Sequence, residues 1–375
     1  MSTKAAYIYH HTMADVILGP GHPMQPARLA ITHELLSASG ILDQLLCVEP
    51  QPATKAQLQA LHDKDYVDFL FRAASPIADK DQKCVYLCME ALFMFPDLYK
   101  YYALCAGGTL TAARLLIRGE AKIAINWGGG LHHGKKDWAH GFCFVNDIVL
   151  GIIELLKFYD RVLYIDIDVH HGDGVEAAFN NTDRVFTISF HQFGNEFFPR
   201  TGRLEDCGEE EGQGFAVNVP LKPGIADEAY RNMFTPIMER VMAVFNPNAV
   251  VLQCGTDSIA NDRLGSLNLS AKGHAECVAF ICNFKLPTMI LGGGGYTVQN
   301  VARLWFLKTA VATGLDGQLT EKLPANKYYN FFGTGKLNVP SDATVKDQNT
   351  AEELELIRSK ILARYDSGTG QEAMS

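Results

Sequence analysis

The stretch Tyr164-Ile165-Asp166-Ile167-Asp168-Val169-His170-His171-Gly172-Asp173-Gly174 places three aspartates and two histidines directly behind the apolar run that begins at Val162. Carboxylates and imidazoles are donors for divalent metals, and imidazole also moves protons near neutral pH. Asp168 and His170 stand two apart, so at a strand end their side chains share a face. Asp257, in Cys254-Gly255-Thr256-Asp257-Ser258, would complete a set of one imidazole and two carboxylates. Three protein donors leave a position open for water or substrate, which is the pattern of a catalytic rather than a closed structural site. Two hard carboxylates suit zinc and also admit ferrous iron, cobalt or manganese.

A second group follows three glycines: His132 and His133 in Gly-Gly-Gly-Leu-His-His-Gly. Beside a metal, such a pair offers two nitrogens to a bound water whose pKa falls toward about 7. Asp166 and Asp173 have no other evident task and can orient each ring through its second nitrogen. Tyr296 ends a four-glycine run, where its hydroxyl could polarise a substrate carbonyl opposite the metal. Phe142 and Phe198 each lie in a glycine-containing loop and could wall a narrow apolar slot. Each feature alone has a blander reading: a helix cap, an incidental histidine pair, packed aromatics. Their placement along the chain raises the chemical reading considerably.

Short β-branched runs alternate with longer segments of helical period. The pattern predicts strands at Ala5–Tyr9, Lys122–Trp127, Val162–Asp168, Val185–Phe190, Phe215–Pro220, Ala249–Cys254 and Thr288–Leu291. It predicts helices at Ala27–Ala38, Gly108–Arg118, Val145–Phe158, Asp227–Phe245, Ala271–Phe284, Val298–Thr313 and Glu352–Tyr365. Strands apolar on both faces, each followed by a helix, imply an α/β protein with a parallel sheet buried between helices. Every polar cluster above follows the carboxyl end of a predicted strand. In an open parallel sheet those ends share one edge, where ligands bind, so distant segments should converge on one site.

Without a repeat or a low-complexity linker, residues 1–375 read as one domain, with a C-terminal helix at about 350–366 and a short tail. Ser75–Lys83 and Lys336–Asn349 read as irregular. A hydrophobic fraction of 47% and a charged fraction of 20% are ordinary for a globular chain. No run reaches the roughly 18–20 apolar residues of a membrane span, and the first residues lack a signal-peptide pattern, so an intracellular protein without membrane attachment is expected. The nine cysteines are scattered without a Cys-x-x-Cys, and Cys84 and Cys88 lack further zinc donors nearby, which fits reduced thiols. The formal charge of −9 argues against direct nucleic-acid binding.

The pieces add up to a metal-dependent hydrolase of an amide carbonyl, and the motifs narrow this further. GGGLHHGKK, GFCFVNDIV, VLYIDIDVHHGDGV, FFPRTG, VVLQCGTDS, DRLG and LGGGGYTVQNVARLW resemble the zinc-dependent class I histone deacetylases, as do GHPMQPARL and LHDKDYVDFL. The similarity runs from about Tyr7 to the C-terminal helix. It implies the arginase/deacetylase fold with a central eight-stranded parallel sheet. It also implies Zn(2+) on Asp168, His170 and Asp257, with Fe(2+) or Co(2+) as substitutes. His132 and His133 would move protons, supported by Asp166 and Asp173, and Tyr296 would stabilise the oxyanion. Gly141, Phe142 and Phe198 would line a tunnel for the acetyl-lysine stem, with Leu264 near its rim and Arg28 in a cavity below the metal. Structural K(+) would bind at Asp166, Asp168, His170, Ser189 and Phe190, and at Phe179, Thr182 and Val185. The implied substrates are acetylated histones or other proteins, the implied partners chromatin complex subunits, and the implied compartment the nucleus, with the cytoplasm as a second location.

This sequence departs from the family mainly at the tunnel mouth. An Asp-Cys-Pro is replaced by a region around Glu90, Met94-Phe95-Pro96 and Asp97. Arg200 stands where glycine is usual, and His140 where serine is usual. Gln25 and Gln299 occupy positions where basic residues contact an inositol phosphate, though Arg263 remains, so a complex bridged by that ligand is not expected. An arginase-like enzyme with two manganese ions would need a second carboxylate near Asp257, and only Asp262 follows. A deacylase for longer acyl-lysines or acetylpolyamines, and a catalytically weak acetyl-lysine-binding scaffold, are the other readings.

Overall fold

The computed structural model describes residues 4–19, 21–73, 95, 97–194 and 196–366. The Ser75–Lys83 stretch, Cys84, Cys88, Glu90, Met94 and Pro96 lie outside the described residues. Eight strands form a single sheet: β1 Ala6–Ile8, β2 Leu46–Val48, β3 Ile123–Asn126, β4 Val162–Asp166, β5 Val185–Gln192, β6 Ala216–Leu221, β7 Ala249–Gln253 and β8 Thr288–Leu291. They run in the order β2-β1-β3-β8-β7-β4-β5-β6, and every pairing is parallel. The helices among the described residues are α1 Ala27–Ala38, α2 Lys55–Leu58, α3 Lys64–Ala73, α4 Leu98–Ile117, α5 Asp147–Leu155, α6 Asp173–Phe179, α7 Asp227–Phe245, α8 Ala271–Cys282, α9 Val298–Thr313 and α10 Ala351–Asp366. None is long and apolar enough to cross a membrane.

The strands read as unbroken apolar runs because they are buried on both faces. Successive residues of β4 point to opposite cores. Leu163 and Ile165 join a cluster with Ile237 of α7, Val278 of α8 and Leu304 of α9. Val162 and Tyr164 join a second with Leu115 of α4, Val149 of α5 and Val175 of α6. Local signals end the helices where the sequence requires. Ser270 caps α8 by accepting from Gly273 N, while Asn246 and Gly314 close α7 and α9 in left-handed conformations.

All seven expected strands form, and the sheet gains an eighth, β2, three residues long and half exposed at the edge. Four helices differ from expectation. Three, α2, α3 and α6, were not expected as helices, and α4 starts ten residues before Gly108. The reason for the early start is close packing. A Cβ on Gly107 would stand 1.9 Å from Gln51 O, and one on Gly108 2.7 Å from Asn126 Nδ2, so these glycines let neighbours approach a continuous helix instead of ending it.

The five strands whose carboxyl ends carry the polar clusters, β3-β8-β7-β4-β5, are consecutive neighbours in the sheet. The alignment is close: Asp166 pairs with Ser189 on one side and with Gln253 on the other. The loops after these strands therefore open onto one edge.

Candidate active site

Asp168 and His170 follow β4, and Asp257 follows β7. All three are buried, and one donor atom of each lies within 4.8 Å of the others. His170 presents Nδ1, 3.2 Å from Asp168 Oδ1 and 3.3 Å from Asp257 Oδ2. Asp257 has one oxygen tied to the protein and Asp168 both, since its Oδ1 accepts from His170 N at 3.0 Å. Asp168 Oδ2 accepts from Gln253 Nε2 at 2.9 Å and from Gly294 N at 2.8 Å, and Asp257 Oδ1 accepts from Val169 N at 2.9 Å. The other oxygen of each faces His170, and Asp257 Oδ2 is buried with no hydrogen-bond partner.

Two glycines make this crowding possible. A Cβ at Gly255 would meet Asp168 Oδ2 at 1.9 Å, and one at Gly294 would meet Asp257 Oδ2 at the same distance. Burial, and then the neighbouring Asp168 charge, push the Asp257 carboxyl up to about 7. Burial opposes a charge on His170, yet Asp168 and Asp257 outweigh it and raise the imidazole to about 10. The pocket thus calls for positive charge between two carboxylates. An orphaned buried oxygen, one imidazole nitrogen and a second carboxylate oxygen fit a divalent ion of the zinc or ferrous class. Asp262 is not a second ligand of the arginase kind. Its oxygens accept from Leu264 N, Tyr296 N and Thr297 N.

Beside this trio, the His132 and His133 rings lie 3.9 Å apart between centroids. His132 Nδ1 is 2.7 Å from Asp166 Oδ2, and His133 Nδ1 is 2.6 Å from Asp173 Oδ1. A carboxylate only accepts, so each Nδ1 carries hydrogen and each Nε2 is left for the reacting groups. The two rings diverge in basicity. Burial disfavours charge on His132, but Asp166 and Asp168 prevail and lift it to about 9. Burial and the neighbouring His132 charge drive His133 well below the ordinary value. One ring therefore holds a proton while the other can take one.

Tyr296, buried after β8, stays a neutral phenol, because burial and then Asp257 and Asp168 raise its pKa well above the ordinary value. Its backbone is fixed by Asp262 Oδ2 at 2.8 Å. Arg28, buried on α1, anchors the glycine run before it by donating to Gly293 O at 2.7 Å and Gly295 O at 2.8 Å. Phe142 approaches Tyr296 at 6.2 Å, and Phe198 packs edge-on against His133 at 4.9 Å. Gly141 lies between them at φ +50°, where a Cβ would strike the His133 ring at 2.4 Å. Leu264 is exposed on the loop that Asp262 ties to Tyr296. Ser189 and Phe190 lie in β5, beside Asp166. Phe179, Thr182 and Val185 lie apart from the catalytic loops, between the end of α6 and the start of β5.

Comparison with known proteins gives a consistent result. The family profile described as "Histone deacetylase domain" matches residues 22–312. Over 96% of its length the chain is 48% identical to "Histone deacetylase 1" of Oryza sativa subsp. japonica, covering 69% of that protein. It is 47% identical to "Histone deacetylase 6" of Arabidopsis thaliana and to "Histone deacetylase 1" of Homo sapiens, covering 76% and 74% of them.

The chain belongs to the histone deacetylase family.

Several residues of this deacetylase site escape a reading of the sequence. Phe197 stacks on His170 at 5.1 Å, and Tyr164 donates to Asp166 Oδ2 at 2.6 Å. The wall loop that carries Gly141 and Phe142 is held from outside. Tyr102 donates to Phe142 O at 2.9 Å and Tyr66 to Phe144 O at 2.7 Å. His62 accepts from Asn146 N at 3.0 Å, with its Nδ1 3.2 Å from Lys136 O. Only LHDKDYVDFL, which spans His62 and Tyr66, gave any prior signal for this scaffold.

His62 also makes the wall sensitive to acid. Burial lowers its pKa from the ordinary 6.5 to about 4. Between these values the unfolded chain binds more protons than the folded one, so stability present above 6.5 is lost as pH falls toward 4. The loss approaches about 3 kcal/mol. Thermal midpoints measured from pH 7.5 to 4.5 should fall less steeply for His62→Asn than for wild type. Parallel slopes would show that another group carries the acid sensitivity.

Proposed function

We propose that this protein is a metal-dependent lysine deacetylase that hydrolyses the acetyl amide of histone lysines and releases acetate and the free amine. The carrying observation is the meeting, at one sheet edge, of the Asp168–His170–Asp257 trio with two aspartate-oriented histidines and a buried tyrosine hydroxyl. The relatives' shared name supports histones as the substrate class.

Asp168, His170 and Asp257 would hold the ion, with zinc our assignment from two carboxylates and one imidazole. Bound there, a divalent ion supplies Lewis acidity for the acetyl carbonyl and brings the pKa of its water near neutrality. The remaining work falls to side chains. His133, neutral and with Nε2 free, takes the proton of the attacking water and returns it to the departing lysine amine. His132, held protonated by Asp166, offsets the negative charge that develops on the oxygen. Tyr296 donates its hydroxyl to the same oxygen from the opposite side. Phe142, Phe198 and Gly141 would flank the aliphatic stem. Their apolar surfaces suit a neutral acetylated chain, whereas a free ammonium would pay a desolvation penalty there, which favours product release.

Leu264 would meet the substrate at the rim, and Arg28 would shape the space under the glycine run. Potassium at the Asp166–Ser189–Phe190 and Phe179–Thr182–Val185 positions, one catalytic domain, work in the nucleus and association with chromatin complexes complete the reading. A panel of acylated peptides tests it. Zinc-loaded protein should release acetate from acetyl-lysine histone peptides faster than it cleaves longer acyl-lysines or acetylpolyamines. Turnover of acetylpolyamines alone would move the substrate class, and no turnover of any member would leave a binding scaffold.

A further inference from the structure

Asp173 has more partners than orienting His133 requires. Its Oδ1 meets His133 Nδ1 at 2.6 Å, while Oδ2 lies 2.5 Å from Lys135 Nζ and 3.3 Å from His140 Nδ1. His140 opens a tight turn, paired through the backbone with Cys143, whose central residues Gly141 and Phe142 both have positive φ. That turn aims the imidazole inward. Its ring lies 4.7 Å from Phe198, 4.8 Å from Trp138 and 5.7 Å from His133. Its Nδ1 is buried without an aligned hydrogen-bond partner, although Asp173 Oδ2 is the nearby carboxylate oxygen.

His133, His140 and Asp173 have the spacing of a metal trio. Their chemistry opposes that use. The Lys135 ammonium already neutralises the carboxylate, and His133 Nδ1 faces Asp173 as a donor, so a second cation would have to displace both. The cluster is better built to hold Asp173 still.

We propose that His140 is a positioning residue for proton transfer. From the tunnel wall it engages Asp173 Oδ2, which keeps Oδ1 directed at His133 Nδ1 and the His133 ring facing the reacting atoms. A carboxylate rotates readily about its terminal bond, and that torsion is broad. Lys135 alone pulls Oδ2 from one side. The imidazole supplies the second contact that fixes the plane, and it tightens to a full hydrogen bond once the acyl stem packs on Phe198, as active-site contacts commonly do on substrate binding. Groups that orient a working imidazole typically change activity about 10- to 100-fold when lost.

The inference rests on His133 as the proton carrier, and its test separates the two claims. Steady-state kinetics on a short acetyl-lysine peptide compare wild type, His140→Leu and His140→Asn, with thermal midpoint and bound metal measured alongside. Leucine keeps apolar contact with Phe198 but has no N–H, whereas asparagine keeps a donor within reach of Oδ2 but packs poorly. The expected result is a kcat about tenfold lower for His140→Leu, a KM within about twofold, and a kcat for His140→Asn within about threefold of wild type. If the leucine variant does not fold, His140→Ala reads the same loss. A wild-type kcat without the donor, a loss confined to KM, or an asparagine variant as impaired as leucine would overturn the role of His140 while leaving the deacetylase reading intact. An inactive wild type would overturn that reading, and this inference with it.

Discussion

Exchange of His133 for alanine lowers kcat on an acetyl-lysine peptide by about 100- to 10,000-fold, the range for loss of a positioned general base. The ring is suited to that work by two features. Asp173 fixes the hydrogen on Nδ1, and burial with the His132 charge keeps Nε2 unprotonated. Alanine removes the nitrogen but none of the metal donors, so bound metal and thermal midpoint should stay close to wild type. Tyr296→Phe removes a single hydroxyl, and a lost oxyanion donor costs about 100- to 1,000-fold. Its backbone anchor to Asp262 and the Arg28 clamp on Gly293 and Gly295 do not involve the phenol, so the loop should hold its shape. Burst-free steady-state assays at saturating peptide check both variants. Near-normal rates in both would remove the assigned roles.

Asp257→Asn has the second large effect, and its two consequences run in opposite directions. Asn Oδ1 can still accept from Val169 N, so the local backbone is preserved. The oxygen that faces His170 becomes an amide that donates instead of ligating. Metal affinity should therefore fall by more than the roughly 10- to 100-fold typical of an outer partner, and activity should fall with it. Meanwhile a carboxylate pushed up to about 7, by burial first and Asp168 second, is an expensive group to keep ionised. Its replacement should raise the thermal midpoint measured in chelator. Competition titration with a chromophoric chelator reads the first effect and calorimetry the second. Unchanged metal affinity would exclude Asp257 as a ligand.

Much of this site could be read from the chain because it obeys one topological rule. Parallel strands open at one edge, so polar residues after β3, β4, β5, β7 and β8 had to meet, and those strands are neighbours. The pairing of His132 with Asp166 and His133 with Asp173 follows from the same convergence. What stayed hidden depends on partners with no local pattern. Gln253 supports Asp168 from 85 residues away, and Tyr102 holds Phe142 across 40. In the fold, β2 is too short to show a period, and α6 begins at Asp173, a residue whose chemistry masks its role at a helix start. The early start of α4 was concealed by Gly107 and Gly108, which sequence alone reads as a boundary and packing uses for contact.

Acetate release from an acetylated histone peptide, titrated with zinc against metal-stripped protein, addresses the main claim most directly. Activity should climb linearly and level off at one equivalent per chain, the ion held by Asp168, His170 and Asp257. A plateau at two equivalents, or no acetate at any ratio, would contradict it.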